Sequence, residues 1–242
     1  MFEEIVVEYQ NYSFDIASGV PCPDEPFVTV IDGNVYNAVL IGFQCWMKEN
    51  LKTTTYNNGT AIPNVMNASS WSYSLTGGYV CYDNIISWKN NCGALYNRYV
   101  TIDPNGLCPT GWHVPTNDEW MVLTNCIGGT GSTLGNELKS CRQANSPYSR
   151  GCNISEYPRW KQDTFYGSHG TDDYDFSGLP GGIRAVDEFA PFLFIGNVGF
   201  WWSSTMYTSN YSWYRSLGYF YDHMRVNYFD KHFGFSIRCL RD

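Results

Sequence analysis

Residues 108–120 read CPTGWHVPTNDEW, and this stretch decides how the middle of the chain folds. Thr116 can cap a helix, and Glu119 three residues later completes a capping box. Asp118 and Glu119 in the first turn suit the positive end of the helix dipole. Trp120, Leu123 and Ile127 then fall on one face, and GGTG (128–131) stops the run. A second short helix is expected from Thr133 to Cys141, with Leu134 and Leu138 facing inward.

Outward from these two helices the chain reads as strands and loops. FVTVIDGNVYNAVLIG (27–42) places two β-branched runs around Asp32-Gly33-Asn34, a hairpin signal. From Lys52 to Cys108 Asn, Gly, Ser and Thr dominate and no periodicity holds, so long irregular loops are expected. Residues 1–26 form a separate lead. EEIVVEYQNYSF (3–14) is strand-like, and GVPCPDEP (19–26) is a linker whose prolines resist regular structure. No internal repeat is visible. The expected class is α+β, with a lead over 1–26 and one ligand-binding domain over 27–242.

Bulk composition excludes several function classes. The chain has 242 residues, a net charge of −8, 16% charged residues and 17% aromatics. A nucleic-acid partner needs a basic footprint, and no Lys/Arg cluster occurs. No apolar stretch is long enough to span a bilayer, so no membrane insertion is expected. Nine cysteines point to an oxidising compartment. There is no Cys-x-x-Cys, and the four histidines are scattered, so no metal and no cofactor is expected. MFEEIVVEYQ lacks the basic and apolar regions of a signal peptide. The chain therefore reads as the mature form of an exported protein at the cell surface or outside the cell; the alternative is a part of a phage particle.

Five motifs occur in order: IGFQCWMKENL (41–51), CPTGWHVPTNDEW (108–120), DFSGLPGGIR (175–184), FWWSST (200–205) and GFSIRCLRD (234–242). Together they resemble the Fibrobacter succinogenes major paralogous domain, common in surface proteins of Bacteroidetes, over residues 27–242. PTNDEW and the terminal GF-x-x-RC-x-x-D are also similar to the formylglycine-generating-enzyme, or sulfatase-modifying, branch of the C-type lectin fold. The resemblance implies a C-type lectin-like domain with a twisted antiparallel sheet, two helices, long loops, and paired N- and C-terminal strands.

The same resemblance argues against catalysis. The sulfatase-modifying enzymes use two cysteines shortly before the final strand, and this chain has none between Cys152 and Cys239. His113 reads as a structural hydrogen-bonding residue rather than an acid/base. Asp172, Asp173 and Asp175 could ligate calcium but read better as a solvated turn, and the sugar-coordinating Glu-Pro-Asn and Trp-Asn-Asp patterns are missing. Disulfide candidates are Cys108 with Cys239, which would tie the last strand to the core, and Cys141 with Cys152. The pairing of Cys22, Cys45, Cys81, Cys92 and Cys126 stays open.

The tail from Trp213 to Cys239 mixes rings with charges. Trp201, Trp202, Leu217, Phe235 and Ile237 are expected in the core, with Cys239 in the same framework. Tyr207, Ser209, Asn210, Tyr211, Tyr214, Tyr219, Tyr221, Asp222, His223, Arg225, Asn227, Tyr228, Asp230 and His232 are expected to form an exposed binding face. Tyr supplies rigid amphipathic area, and Ser, Asn and Asp supply adaptable hydrogen bonds. The expected partner is a protein or glycan on another cell or surface. The alternative is a structural or tip subunit of a pilus or phage tail fibre, whose partners are neighbouring subunits.

Most of these residue types also arise by randomising the adenines of an Asn codon. That is the substitution set of diversity-generating retroelements, whose variable proteins this family resembles. A locus that encodes this chain is expected to carry a reverse transcriptase and a near-identical template repeat. Sequencing the flanks of the gene tests this, and a locus with neither rules it out.

Overall fold

The hairpin forms as its turn residues predict. The computed structural model describes residues 18–129, 135–142, 157–162 and 170–242. In chain order these form β1 (Val20–Pro21), β2 (Phe27–Thr29), β3 (Val35–Ile41) and β4 (Gln44–Met47). Helix α1 (Ala68–Ser72), β5 (Tyr79–Val80), α2 (Ile86–Cys92), β6 (Leu95–Tyr96) and β7 (Trp112–His113) follow. Next come α3 (Asn117–Cys126), α4 (Gly135–Leu138), β8 (Gly181–Arg184) and β9 (Phe192–Ile195). The chain closes with β10 (Val198–Met206), β11 (Tyr211–Gly218), β12 (Arg225–Asp230) and β13 (Leu240–Arg241).

β2 and β3 pair antiparallel with Thr29 opposite Val35, and Gly33 takes the left-handed backbone (φ +80°) that the turn demands. Asp32 holds the turn to the next loop: its carboxylate accepts from the Asn34 side chain at 2.7 Å, the Thr53 hydroxyl at 2.8 Å and the Thr54 N–H at 3.0 Å. Burial pushes this carboxyl up, and the hydrogen bonds outweigh burial and leave its pKa below the ordinary value.

The last strand joins the sheet of the N-terminal hairpin but pairs with β4 and not with the first strand, β1. The main sheet runs β1-β3-β4-β13-β7, with β2 added on β3. β13 is inserted between the hairpin and the strand that leads into α3, so Leu240 sits opposite both Trp46 and His113. A Cys108–Cys239 disulfide fastens this arrangement across 131 residues of sequence, with Cα atoms 5.9 Å apart. Closing so long a loop is worth about 4–5 kcal/mol in the chain-entropy account. A Cys22–Cys45 disulfide ties the linker to β4. Cys141 is also disulfide-bonded; Cys152 lies outside the described residues, while Cys81, Cys92 and Cys126 are free thiols.

The class is α+β with antiparallel sheets, but the described residues hold four short helices rather than two. The two extra ones, α1 and α2, fall in the loop-dominated region. α1 is five residues capped by Asn67, and α2 is seven residues without a side-chain cap. Neither is long enough to build a repeating apolar face, so periodicity misses them. α3 has both halves of the predicted capping box. The second helix spans Gly135–Leu138 only, and Leu134 lies outside the described residues.

Trp201, Trp202, Leu217, Phe235, Ile237 and Cys239 are all buried. At their centre Asn50 uses its whole hydrogen-bonding capacity. Its Oδ1 accepts from Trp201 Nε1 at 2.8 Å and Arg238 Nε at 2.9 Å, and its Nδ2 donates to Cys92 O at 2.9 Å and Ser236 Oγ at 3.2 Å. Asn50→Ala strands two buried donors and two acceptors, so unfolding stability should fall by about 3–5 kcal/mol. Denaturant titration checks this; a loss within about 0.5 kcal/mol, typical of surface changes, refutes the role.

Candidate ligand-binding site

β10, β11 and β12 form a three-stranded antiparallel sheet, and its pleat decides where each tail residue points. Paired residues share a face, and neighbours along a strand alternate. Phe200, Ser216 and Arg225 line up on one face, as do Trp202, Tyr214 and Asn227. Trp213 and Tyr228 pair on the opposite face, with Tyr211 and Asp230 beside them. The single binding face expected from the sequence is therefore two faces.

The first face carries a pocket of about 700 Å³. Six of the expected residues line it: Tyr214, Tyr219, Tyr221, His223, Arg225 and Asn227. Asp222 stands next to it, its carboxylate 3.4 Å from His223 Nδ1. Two of these residues are not exposed as expected. Tyr214 and Tyr221 are buried. Tyr214 is enclosed by rings, 5.1 Å from Phe235 and 5.7 Å from Phe200 between centroids. Tyr221 lies against Gly218, where an added Cβ would come within 2.2 Å of its ring, and its hydroxyl donates to Ser216 Oγ at 3.0 Å. Burial pushes the Tyr221 phenol up to about 12. These two rings form wall and floor; the residues around them supply the reachable groups.

The turn that bears the pocket is held from below. Lys139, itself buried, donates to Tyr221 O at 2.6 Å and Asn136 Oδ1 at 2.9 Å. Gly135 donates its N–H to Asp222 O at 2.7 Å, and an added Cβ there would strike the His223 backbone. α4 thus docks on the loop between β11 and β12.

Sequence reasoning missed the far wall. Phe194, from β9, and Asn197, from the turn between β9 and β10, also line the pocket. Phe194 has φ +68°, a left-handed conformation that costs a side chain with a Cβ roughly 1–2 kcal/mol. Its ring meets Phe200 at 6.2 Å. A strained aromatic residue at a pocket wall is the kind of outlier that gathers at binding sites, and nothing in FLFIGN announces it.

The other expected residues lie elsewhere. Tyr207 stacks on Tyr228 at 3.8 Å and 14°, with Trp213 edge-on at 4.9 Å and Tyr211 at 6.0 Å from Tyr228, an exposed cluster on the opposite face. Ser209 and Asn210 belong to the turn before β11, where their carbonyls accept from Lys231 Nζ and Lys231 N–H. His232 bridges Asp230 at 2.6 Å and the Tyr99 hydroxyl at 3.2 Å.

Candidate catalytic and metal-binding groups are engaged by protein. His113 sits between Glu119 Oε1 at 2.9 Å and Asp242 Oδ1 at 2.6 Å, tying the C-terminus to α3. Asp172 accepts from the Ser177 N–H and hydroxyl, Asp173 from Thr171, and Asp175 pairs with Lys48. Among the described residues no group of three or more His, Cys, Asp or Glu could hold a metal ion, and no helix is long and apolar enough to cross a membrane.

The family model described as Fibrobacter succinogenes major domain matches residues 39–241. The chain belongs to this family. The match begins within β3, so the family's domain covers the pocket and both faces of the β10–β11–β12 sheet. No curated protein and no solved structure matches the chain.

Burial separates the tyrosines of the tail by their cost. Tyr221→Ala should destabilise by about 3 kcal/mol or more, as for other large buried side chains. Tyr228→Ala, which loses an exposed stacking contact, should cost about 1 kcal/mol. Chemical denaturation of both variants checks the order; equal losses would contradict it.

Proposed function

We propose that this domain of the Fibrobacter succinogenes major domain family is a ligand-binding module, of adhesin type, and not an enzyme. The pocket carries the reading. It brings together six tail residues chosen from composition alone, and it joins aromatic walls to a few polar groups, the usual make-up of a ligand site. Its size lies within the range of small-ligand sites, roughly 300–1,000 Å³. The groups that would otherwise suggest chemistry, His113 and the Asp172–Asp175 cluster, have their polar atoms taken up by neighbouring side chains and backbone. The ligand is a protein or glycan displayed on another surface. The disulfides fit an exported, extracellular setting. The last strand paired into the sheet of the N-terminal hairpin, with Trp120 of α3 packed on Trp46 of β4, supports a C-type lectin-like arrangement. A tail diversified by a retroelement fits the reachable positions, since Arg225 and Asn227 are exposed and Tyr219 is only partly buried against the core.

Arrays of glycans and of surface proteins, probed with the intact chain and with a Phe220→Ala/Asn227→Ala variant, test this reading. The variant should keep its thermal midpoint and lose the targets of the parent chain. An unchanged binding profile in the variant, or no target for the parent, refutes it.

A further inference from the structure

We infer that the pocket captures the carboxylate end of a polypeptide whose last side chain is aromatic, which rests on the pocket being the binding site. Arg225 is the deciding residue. Its guanidinium lies 3.9 Å from the Tyr221 ring centroid and 5.5 Å from that of Phe220. It is exposed, and it makes no hydrogen bond or ion pair with protein among the described residues. The buried arginines behave differently. Arg98 donates to Ser204 O, Arg184 to Met66 O, Arg215 to Asn117 O and Arg238 to Ser177 O. Stacking on Tyr221 orders the Arg225 side chain while leaving its planar fork of donors to the occupant of the pocket. That fork matches a carboxylate in two parallel charge-assisted hydrogen bonds. The nearby carboxylate of Asp222 faces His223 instead.

The remaining lining selects among carboxylates. Phe194, Phe200, Phe220 and Met224 give apolar walls suited to a ring. Asn197 makes no side-chain hydrogen bond among the described residues. Asn227 accepts from the Tyr228 N–H through Oδ1 at 2.8 Å and keeps its amide hydrogens available. Carboxamides pair naturally with a peptide group, which has one donor and one acceptor. A sugar acid would also bring a carboxylate, but its hydroxyls would lose water against these rings without gaining partners.

Calorimetric titration of the intact chain separates the cases. The probes are a tripeptide ending in phenylalanine with a free carboxylate, the same tripeptide as its C-terminal amide, and glucuronate. The acid should bind about tenfold or more tighter than the amide, the worth of a charge-assisted pair. Arg225→Gln should bring the acid down to the level of the amide and leave the amide unchanged. Arg225→Lys should fall between, since a point charge replaces the fork. The thermal midpoint of either variant should match the parent, because Arg225 is exposed. Equal binding of acid and amide, or an Arg225→Gln variant that still prefers the acid, overturns the inference and leaves the pocket a binding site. Tightest binding by glucuronate, or no saturation by the acid at millimolar concentration, also overturns it. Target loss on the arrays reports separately on the binding function.

Discussion

A fully buried guanidinium organises this domain. Arg238 stands at the centre of the chain's last framework motif, with Nε on Asn50 and its other nitrogens on the carbonyls of Phe176 and Ser177. It lies 4.0 Å from the Phe176 ring centroid and 5.7 Å from that of Trp201. Burial pulls its pKa down to about 9, with Glu49 and Asp172 acting in the opposite direction, so it stays charged near neutrality. A charge taken out of water at this depth is tolerated only where geometry and hydrogen bonding are complete. That demand fixes the relative placement of the Asn50 loop, the Phe176–Ser177 turn and the final strand, and hence of the sheet that bears the pocket.

The same solution recurs through the molecule and accounts for its composition. Arg98, Lys139, Arg184, Arg215 and Arg238 are all buried, whereas no described Asp or Glu is. Each cation donates to at least one backbone carbonyl, while the Nε atoms of Arg98, Arg184 and Arg215 have no hydrogen-bond partner among the described residues. Rings lie close to Arg238, as above, and to two more, with Arg184 4.4 Å from the Phe192 centroid and Lys139 5.6 Å from that of Trp160. A chain that uses carbonyls and π faces as counter-groups needs many aromatics and few buried carboxylates. Arg215 shows the structural use: its two donors to Asn117 hold β11 against the first turn of α3. Loops rich in Asn and Gly can then remain irregular without loosening the core.

Local chemistry made part of this fold legible in the sequence. Asp32-Gly33-Asn34 determines its hairpin, and Thr116 with Glu119 determines its helix, because each involves only neighbours in the chain. Cys108 and Cys239 were readable as partners because both sit in framework motifs at the ends of one long segment. What stayed hidden depends on distant neighbours. Cys22 meets Cys45 only because β1 pairs with β3 and β3 with β4. Tyr221 differs from Tyr219 only through Gly218 and Ser216, which the turn folds beneath it. The far wall of the pocket comes from Phe194 in β9 and Asn197 in the turn after it, which carry no local mark.

The pleat divides the tail between two surfaces. Alternation along β12 sends Arg225, Asn227 and Phe229 to one face and Val226, Tyr228 and Asp230 to the other. A run of reachable aromatic and polar residues therefore cannot act as one surface, however uniform it looks as text. On the pocket face, the costly residues and the reachable ones are different side chains. Tyr214 and Tyr221 are built into the wall and resist replacement, while Phe220, Arg225 and Asn227 are exposed and can change with little effect on folding. Stability thus resides in the wall, and the binding function proposed above assigns selectivity to the rim. Under that proposal the scaffold can alter what it binds while Asn50 and Arg238 keep the framework intact.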